Sequence, residues 1–219
     1  MRLAVLLFLG AATLRFDVTD ARGKRPSGVT IETGEADGDG WCQLKTATKG
    51  KGSPVLVWPF DGRAKLPDGP GEIPAIVIES GDPKALGNPR VVAALAAGEL
   101  LGISHETGLD PAAPAKAVTA LSTADEPFAK GVGLLCAKNP GEAADLLARA
   151  LRERERQLTR VPSEIYPAAL LCGKALLESG KFDEAALAFL KALRQRPSDP
   201  VARRFRSEAL AKAGKPDAQ

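Results

Sequence analysis

The sequence is poor in the residues that most often carry out chemistry. Its 219 residues include one histidine, three cysteines, one methionine and one tyrosine. A single histidine excludes any metal site that needs two histidine ligands, and a histidine-based catalytic relay would depend on His105 alone. The odd number of cysteines leaves at least one thiol that is free or that pairs with another molecule. The formal net charge of +3 is too small to indicate nucleic-acid binding by itself.

The composition nevertheless predicts a folded protein. Hydrophobic residues make up 44% of the chain and charged residues 26%, so the chain has enough apolar side chains to bury a core. A length of 219 residues corresponds to one or two domains.

The chain begins with a short apolar segment that predicts export. Arg2 is followed by an almost wholly apolar run, Leu3 to Leu14, which is typical of a secretory signal peptide and too short to cross a bilayer. The small residues Gly10 and Ala12 predict cleavage after Ala12, which gives a signal peptide over residues 1–12. A second candidate cleavage site follows Ala21. We therefore expect an exported protein, periplasmic or secreted. The alternative is a cytoplasmic protein in which this run forms a buried first strand or helix.

Residues 13–83 have the pattern of a small β-domain. Phe16 and Val18 alternate with polar neighbours, which is the period of a half-buried strand. Further short apolar runs are separated by turns rich in glycine and proline, with no helical segment between them. Five short strands arranged in this way predict a β-sandwich. The predicted strands lie near residues 14–18, 29–32, 41–45, 55–58 and 73–78.

The opening of this β-region resembles a known family. The residues from Phe16 to Ile31 read Phe-x-Val-x-Asp-Ala-x-Gly-Lys-x-Pro-x-Gly-Val-x-Ile, which describes a strand, a turn and a second strand. This pattern resembles the first hairpin of carboxypeptidase regulatory-like domains, which are transthyretin-like β-sandwiches. The resemblance implies that residues 13–83 form such a domain. The acidic loop and the Trp41-Cys42 pair depart from that family's pattern.

A change in composition marks a second region. Gly81, Pro83, Gly87 and Pro89 predict a boundary, and the chain beyond it is rich in Ala and Leu at helical spacing. This pattern predicts an all-α domain over residues 89–219. The predicted helices cover residues 89–103, 111–122, 126–138, 141–158, 163–179, 182–195 and 199–213.

An internal repeat is the strongest signal in the helical region. The segment Lys174–Asp183 aligns with Glu208–Asp217 at an offset of 34 residues. This period, together with the small and bulky positions of the unit 166–199, resembles the tetratricopeptide repeat, and residues 199–213 would be its capping helix. The residues predicted to pack or end the helices of this repeat are Gly173, Gly180, Ala185, Phe189, Ala192 and Pro197.

An earlier, degenerate copy of the repeat is predicted from the cysteines. Leu134–Cys136 resembles Leu170–Cys172 at an offset of 36 residues. Cys136 and Cys172 would then be small buried residues on neighbouring first helices, too far apart for a disulfide. Cys42 would be a free thiol or would pair with another molecule.

The repeat resemblance implies a non-catalytic interaction scaffold. Tetratricopeptide arrays bind extended or helical peptides in a concave groove lined mainly by the first helix of each repeat. We therefore expect a protein or peptide partner, and we expect no nucleic acid, no cofactor and no metal. The candidate groove residues are Leu134, Lys138, Leu170, Lys174, Leu177, Arg204 and Glu208.

Two alternatives from other functional classes stay open. A hydrolase would need Asp37, Asp39 and Asp61 to converge from loops of the β-domain. A structural protein of the cell envelope would self-associate through the charged helix 141–158 and the basic C-terminus, which can also contact a membrane surface weakly.

Two further motifs are predicted to be structural. The segment Glu35–Gly40 resembles the first half of a calcium loop, but the twelfth position is Thr46 instead of glutamate, so an acidic turn is expected. Ser104–Glu106 with Asp110 has the residue types of a catalytic triad. Neighbours in sequence rarely reach one another as nucleophile and base, so a loop histidine is expected.

Overall fold

Six β-strands precede seven α-helices in the computed structural model, which describes residues 15–50, 52–67, 69 and 71–216. The predicted signal peptide over residues 1–12 lies outside the described residues. None of the helices in the described part of the chain combines the length and the apolar character that crossing a membrane requires.

The strands form two three-stranded sheets. In the first sheet the order is β1-β6-β4, with β1 parallel to β6 and β4 antiparallel to β6. In the second the order is β2-β3-β5, and both pairs are antiparallel. The two-residue β5 was not predicted, because so short a strand leaves no alternation to detect. The bounds are β1 Phe16–Thr19, β2 Val29–Ala36, β3 Cys42–Thr48, β4 Pro54–Trp58, β5 Arg63–Ala64 and β6 Ile73–Glu79.

Strand β6 is apolar on both of its faces because each face is covered. Ala75 and Val77 pack with residues of the other sheet, including Ile31 of β2. Ile76 and Ile78, which alternate with them, belong to the core formed with the helices. This central position explains the uninterrupted apolar run in β6, since a strand buried on both faces does not alternate with polar residues.

The seven helices lie close to their predicted positions. Five of them begin with a proline in the first turn, where the missing N–H is not needed for the helix. The segment predicted as one helix over 111–122 is instead the short α2 followed by a 3₁₀ helix, Val118–Thr123. The bounds are α1 Pro89–Leu100, α2 Ala112–Ala117, α3 Pro127–Cys136, α4 Pro140–Glu155, α5 Pro162–Glu178, α6 Phe182–Gln195 and α7 Pro200–Lys212.

The pairs α3/α4 and α5/α6 pack through matching close contacts. A Cβ atom on Gly173 would lie 2.6 Å from Cε1 of Phe189, and one on Gly131 would lie 2.8 Å from Cγ of Leu147. In both pairs the glycine and the bulky residue are separated by sixteen positions. The missing side chain of each glycine therefore lets the second helix approach the first.

The ends of three helices also match. At the end of α5, Gly180 has φ +80° and the Lys181 amide donates to the Leu176 carbonyl. Lys138 after α3 (φ +60°) and Gly214 after α7 (φ +70°) occupy the same kind of turn. This left-handed conformation is strained for lysine, so Lys138 holds a position that glycine fills in the other two turns.

These contacts correct the predicted spacing of the earlier helix pair. Gly131 corresponds to Gly173 and Lys138 to Gly180, which is an offset of 42 residues instead of 36. Cys136 and Cys172 are therefore not at equivalent positions. The Leu-Leu-Cys triplet ends α3 at Cys136, whereas in α5 it ends at Cys172, six residues before the end of the helix at Glu178. The two triplets therefore occupy different places relative to the helix contacts.

One hydrophobic core includes residues from both parts of the chain. Trp41, Val57, Trp58 and Phe60 from the sheets lie in the same buried cluster as residues of α1 and α3 to α7. The predicted boundary near residue 84 therefore separates two kinds of secondary structure, whereas the core continues across it.

Replacing Gly173 by Ala tests the close packing of α5 on α6. We expect Gly173→Ala to lower the free energy of unfolding by about 1–3 kcal/mol, because the added methyl group would overlap the Phe189 ring. Gly141→Ala in α4 is the control, since no atom lies within 4 Å of the point that its added Cβ would occupy. Urea unfolding measures both variants, and equal stability of the two would contradict the packing described.

Candidate functional site

The predicted groove residues divide into a buried group and an exposed group. Leu170 and Leu177 are 1% and 7% exposed, so they belong to the core and offer no surface to a partner. The reason is that α5 lies between α4, α6 and α7 and also contacts α3 and β5. The prediction that these two leucines line an open groove is corrected accordingly. Leu134 and Lys174 are half-buried, whereas Lys138, Arg204 and Glu208 are exposed.

Two of the predicted cations flank one aromatic ring. The Lys174 Nζ atom lies 5.4 Å from the centroid of the Phe205 ring, and the Arg204 guanidinium lies 4.9 Å from it. Lys174 also forms an ion pair with Glu178 at 3.0 Å. Glu208 pairs with Lys212 at 2.8 Å on the same helix, α7. This surface therefore carries both signs of charge around a partly buried ring.

An apolar cavity of about 650 Å³ lies beside Lys138. It is formed by α1, α2, the following 3₁₀ helix and the end of α3. Gly133 brings α3 and the 3₁₀ helix together, because a Cβ on it would lie 2.5 Å from Cβ of Leu121. We call this cavity the α1–α3 groove. Its lining is Ala96, Glu99, Leu100, Ala115, Val118, Thr119, Ser122, Gly133, Cys136, Ala137 and Lys138.

The two charged residues of the α1–α3 groove have opposite signs and no close partner. Neither Glu99 nor Lys138 forms an ion pair with any residue that the structure describes. Of the predicted groove residues only Lys138 lies in this lining. The contribution of α1 and of residues 118–122 was missed because the groove residues were taken from the clearer repeats, which begin after residue 126, whereas residues 89–122 resemble at most a weaker helical pair.

A second cluster of polar residues joins the sheets to the turn between α6 and α7. Arg196 Nη1 lies 3.0 Å from Asp61 Oδ2 and 3.3 Å from Asp199 Oδ2. The side chains are 9%, 12% and 4% exposed respectively, so this is a buried ion triad. The guanidinium also lies 5.6 Å from the Trp41 ring centroid and 5.7 Å from that of Tyr166.

Hydrogen bonds also connect the sheet region to the α6–α7 turn. The Trp41 indole N–H donates to the Gln195 carbonyl at 2.9 Å. The Ser198 hydroxyl and the Ser198 amide both donate to the Asp39 carboxylate, the amide at 2.7 Å, and these two bonds hold the pKa of Asp39 below its usual value. The loop before β3 and the turn before β5 are therefore both fixed to the α6–α7 turn.

The three carboxylates considered for a hydrolase meet in this region but are engaged in structural contacts. Asp37 pairs with Arg63 at 3.5 Å and also accepts the Trp41 amide at 2.9 Å. Burial raises the pKa of Asp61 in spite of the neighbouring Arg196 charge. In the described part of the chain no group of three or more His, Cys, Asp or Glu residues is placed to hold a metal ion.

His105 and the cysteines are not arranged as nucleophile and base. No hydrogen bond in the described residues joins His105 to Ser104, Glu106 or Asp110, and Asp110 accepts the Ala112 amide. Burial lowers the pKa of His105. All three cysteines are free thiols, and burial raises the pKa of Cys136 and of Cys172 to about 11. Such thiols stay protonated at neutral pH and are weak nucleophiles.

Comparison of the chain with protein-family models, with curated proteins and with solved structures found no match.

Replacing Arg196 by Met tests the buried triad. We expect Arg196→Met to lower the free energy of unfolding by about 3–5 kcal/mol, because Asp61 and Asp199 would remain buried without their cation. Lys191→Met on the preceding helix, α6, is the control. It removes a partly exposed ion pair with Glu155, which contributes about 0–1 kcal/mol. A loss for Arg196→Met no larger than that for the control would contradict a stabilising triad.

The single histidine provides a direct test of burial at residue 105. Because burial disfavours the charged imidazolium, we expect the pKa of His105 in the folded protein to lie below 6.5. The unfolded chain then binds more protons just below pH 6.5, so stability falls as the pH drops through that range. A proton NMR titration of the imidazole measures this pKa. His105→Gln should reduce the loss of stability in acid, and a measured pKa of 6.5 or higher would contradict the prediction.

Proposed function

We propose that this protein is a non-catalytic, exported scaffold that holds a peptide or protein partner against its helical part. The observation that carries the proposal is the α1–α3 groove, an apolar cavity with an unpaired acid, Glu99, and an unpaired base, Lys138. Apolar pockets with a few polar groups at fixed positions are typical of binding sites. A peptide that inserts an apolar side chain and offers both charges would satisfy all of these groups.

We further propose that the helical part is a tetratricopeptide-type array. The matching contacts of Gly131 with Leu147 and of Gly173 with Phe189 support this interpretation. The small residues Ala143 and Ala185 are both fully buried at the same offset of 42 positions. In such an array α3, α5 and α7 are first helices, so Lys138, Lys174 and Arg204 would lie along one side.

The sheet region is proposed to be a carboxypeptidase regulatory-like sandwich. Residues of both sheets share buried clusters, for example Ile31 of β2 with Val18 of β1. In this proposal the sheets do not bind the partner. They fix the α6–α7 turn through Arg196 and so support the array.

A self-associating envelope protein is the second candidate function. Leu158 after α4 is 105% exposed, and Leu187 on α6 is 62% exposed. Large exposed apolar side chains of this kind can contribute to an interface between copies. Light scattering of the purified full chain over a wide concentration range tests this candidate, and a monomer at every concentration would contradict it.

Selection of peptides from a random library displayed on phage tests the scaffold proposal. The bait is the full chain, and the groove variant is Lys138→Glu, which makes both groove charges negative. We expect selected peptides to share an apolar residue next to an acidic one and to bind the variant about tenfold or more weakly, which corresponds to about 1.4 kcal/mol.

Lys24→Glu is the matched control, because it makes the same change in net charge in the exposed turn between β1 and β2. The control should bind the selected peptides as the unchanged protein does. Peptides that bind all three proteins equally, or a failure to select any peptide, would contradict the proposed groove.

A further inference from the structure

A small cavity lies between the first sheet and the helices, away from the α1–α3 groove. It measures about 250 Å³ and is lined by residues of β1, β4, β6, α1, α4 and α5 and by the start of α3. Pockets for drug-sized ligands span roughly 300–1,000 Å³, so an occupant of this cavity must be small. Two arginines and three carboxylates line it.

The buried cation of this cavity lacks a full set of partners. The Arg154 side chain, in the last turn of α4, is only 11% exposed. Its Nη1 atom is buried and has no hydrogen-bond partner among the described residues. Its Nη2 atom lies 3.6 Å from Glu126 Oε1, which is too long for a hydrogen bond. A buried guanidinium in this state has donors left for an acceptor that enters the cavity.

Aromatic rings hold the guanidinium in place. Arg154 lies over the Phe128 ring, with its Cζ atom 4.4 Å from the ring centroid. Phe128 in turn packs edge to face on Trp58, at 5.6 Å between centroids. This contact holds the guanidinium against the ring and restricts its movement.

A carboxylate of the cavity, that of Glu164, also lacks a direct partner among the described residues. The Glu164 side chain, in the first turn of α5, forms no hydrogen bond or close ion pair within the described residues. Burial raises its pKa, although the Arg154 charge acts in the opposite direction. Asp17 and Arg90 contribute exposed charges of both signs to the same lining.

The charges that line this cavity determine which class of ligand it can bind. A simple anion could accept from Arg154, but it would enter a lining in which carboxylates outnumber arginines by three to two. A simple cation would leave Arg154 Nη1 without an acceptor. A molecule that carries both charges serves both sides of the cavity, since it offers an acceptor to Arg154 and a positive charge to the carboxylates.

We propose that this cavity binds a small zwitterion of the α-amino acid type, with its carboxylate on Arg154 and its ammonium group beside Glu164 and Glu126. The aromatic pair Phe128 and Trp58 would contact the aliphatic part of the ligand. This site is separate from the peptide groove and does not depend on it.

Calorimetric titration of the full chain with each common L-α-amino acid tests the proposal. We expect at least one of them to bind with a dissociation constant at or below about 1 mM and to raise the melting temperature. For the best ligand, the C-terminal amide and the N-acetyl derivative should each bind about tenfold or more weakly, because each lacks one of the two charges.

Three variants locate the binding site. Arg154→Met keeps an aliphatic contact with Phe128 but removes the donors, and Glu164→Gln removes the negative charge with little change in shape. Both should weaken binding by about tenfold or more. Arg152→Met, an exposed position on the same helix, should bind the ligand as the unchanged protein does. Circular dichroism checks that each variant is folded.

Several results would overturn the proposal. They are no binding of any amino acid up to about 10 mM, equal binding of the amide or the N-acetyl form, and equal binding by Glu164→Gln and Arg152→Met. If Arg154→Met fails to fold, the two derivatives still decide the matter, because they are measured on the unchanged protein. A failure here leaves the peptide groove intact, since Lys138→Glu tests a different cavity.

Discussion

Arg196 is buried between the sheets and the helices, and its guanidinium connects the two parts of the chain. A guanidinium that is only 9% exposed must be neutralised, and its two partners come from different parts of the chain. Asp61 belongs to the sheet region, whereas Asp199 caps α7 by accepting the Ala202 amide at 2.8 Å. Separating the sheets from the helices would break the Arg196–Asp61 pair and leave Asp61 without its cation, whereas the Arg196–Asp199 pair lies within the helical part. The packing of Trp41 against the same guanidinium adds apolar contact to this constraint.

The contacts between the sheet region and the α6–α7 turn explain how the candidate binding regions keep their shape. Helices α3 to α7 pack each on the next, so fixing the turn between α6 and α7 restricts the whole series. At the other end α1 packs on the sheet through β4 and on α3. The elements that form the α1–α3 groove and the smaller cavity around Arg154 therefore pack on one another and on the sheets. Preorganised sites of this kind lose little conformational entropy when they bind.

Local patterns in the sequence predict the elements well but not their long-range contacts. Alternation and helical spacing place five strands and most helices, and Gly173 with Phe189 predicts how α5 meets α6. Nothing in the sequence links Asp61 to Arg196, which lie 135 positions apart. The burial of Leu170 was not predicted for a related reason. Helical spacing identifies the apolar face of α5, but the elements packed against α5 determine how much of its surface is buried. Helical spacing predicts α1 itself, but not that α1 and α3 enclose a groove.

If Arg196 and the shared core couple the sheets to the helices, the two parts of the chain should unfold together. Both tryptophans, Trp41 and Trp58, lie in the sheet region and in the shared core, so their fluorescence reports on that region. Circular dichroism at the helical band reports on α1 to α7. In urea unfolding of the full chain, we expect the two signals to change in one transition with the same midpoint and slope. Two separate midpoints would show that the regions fold independently and would contradict the central role of Arg196.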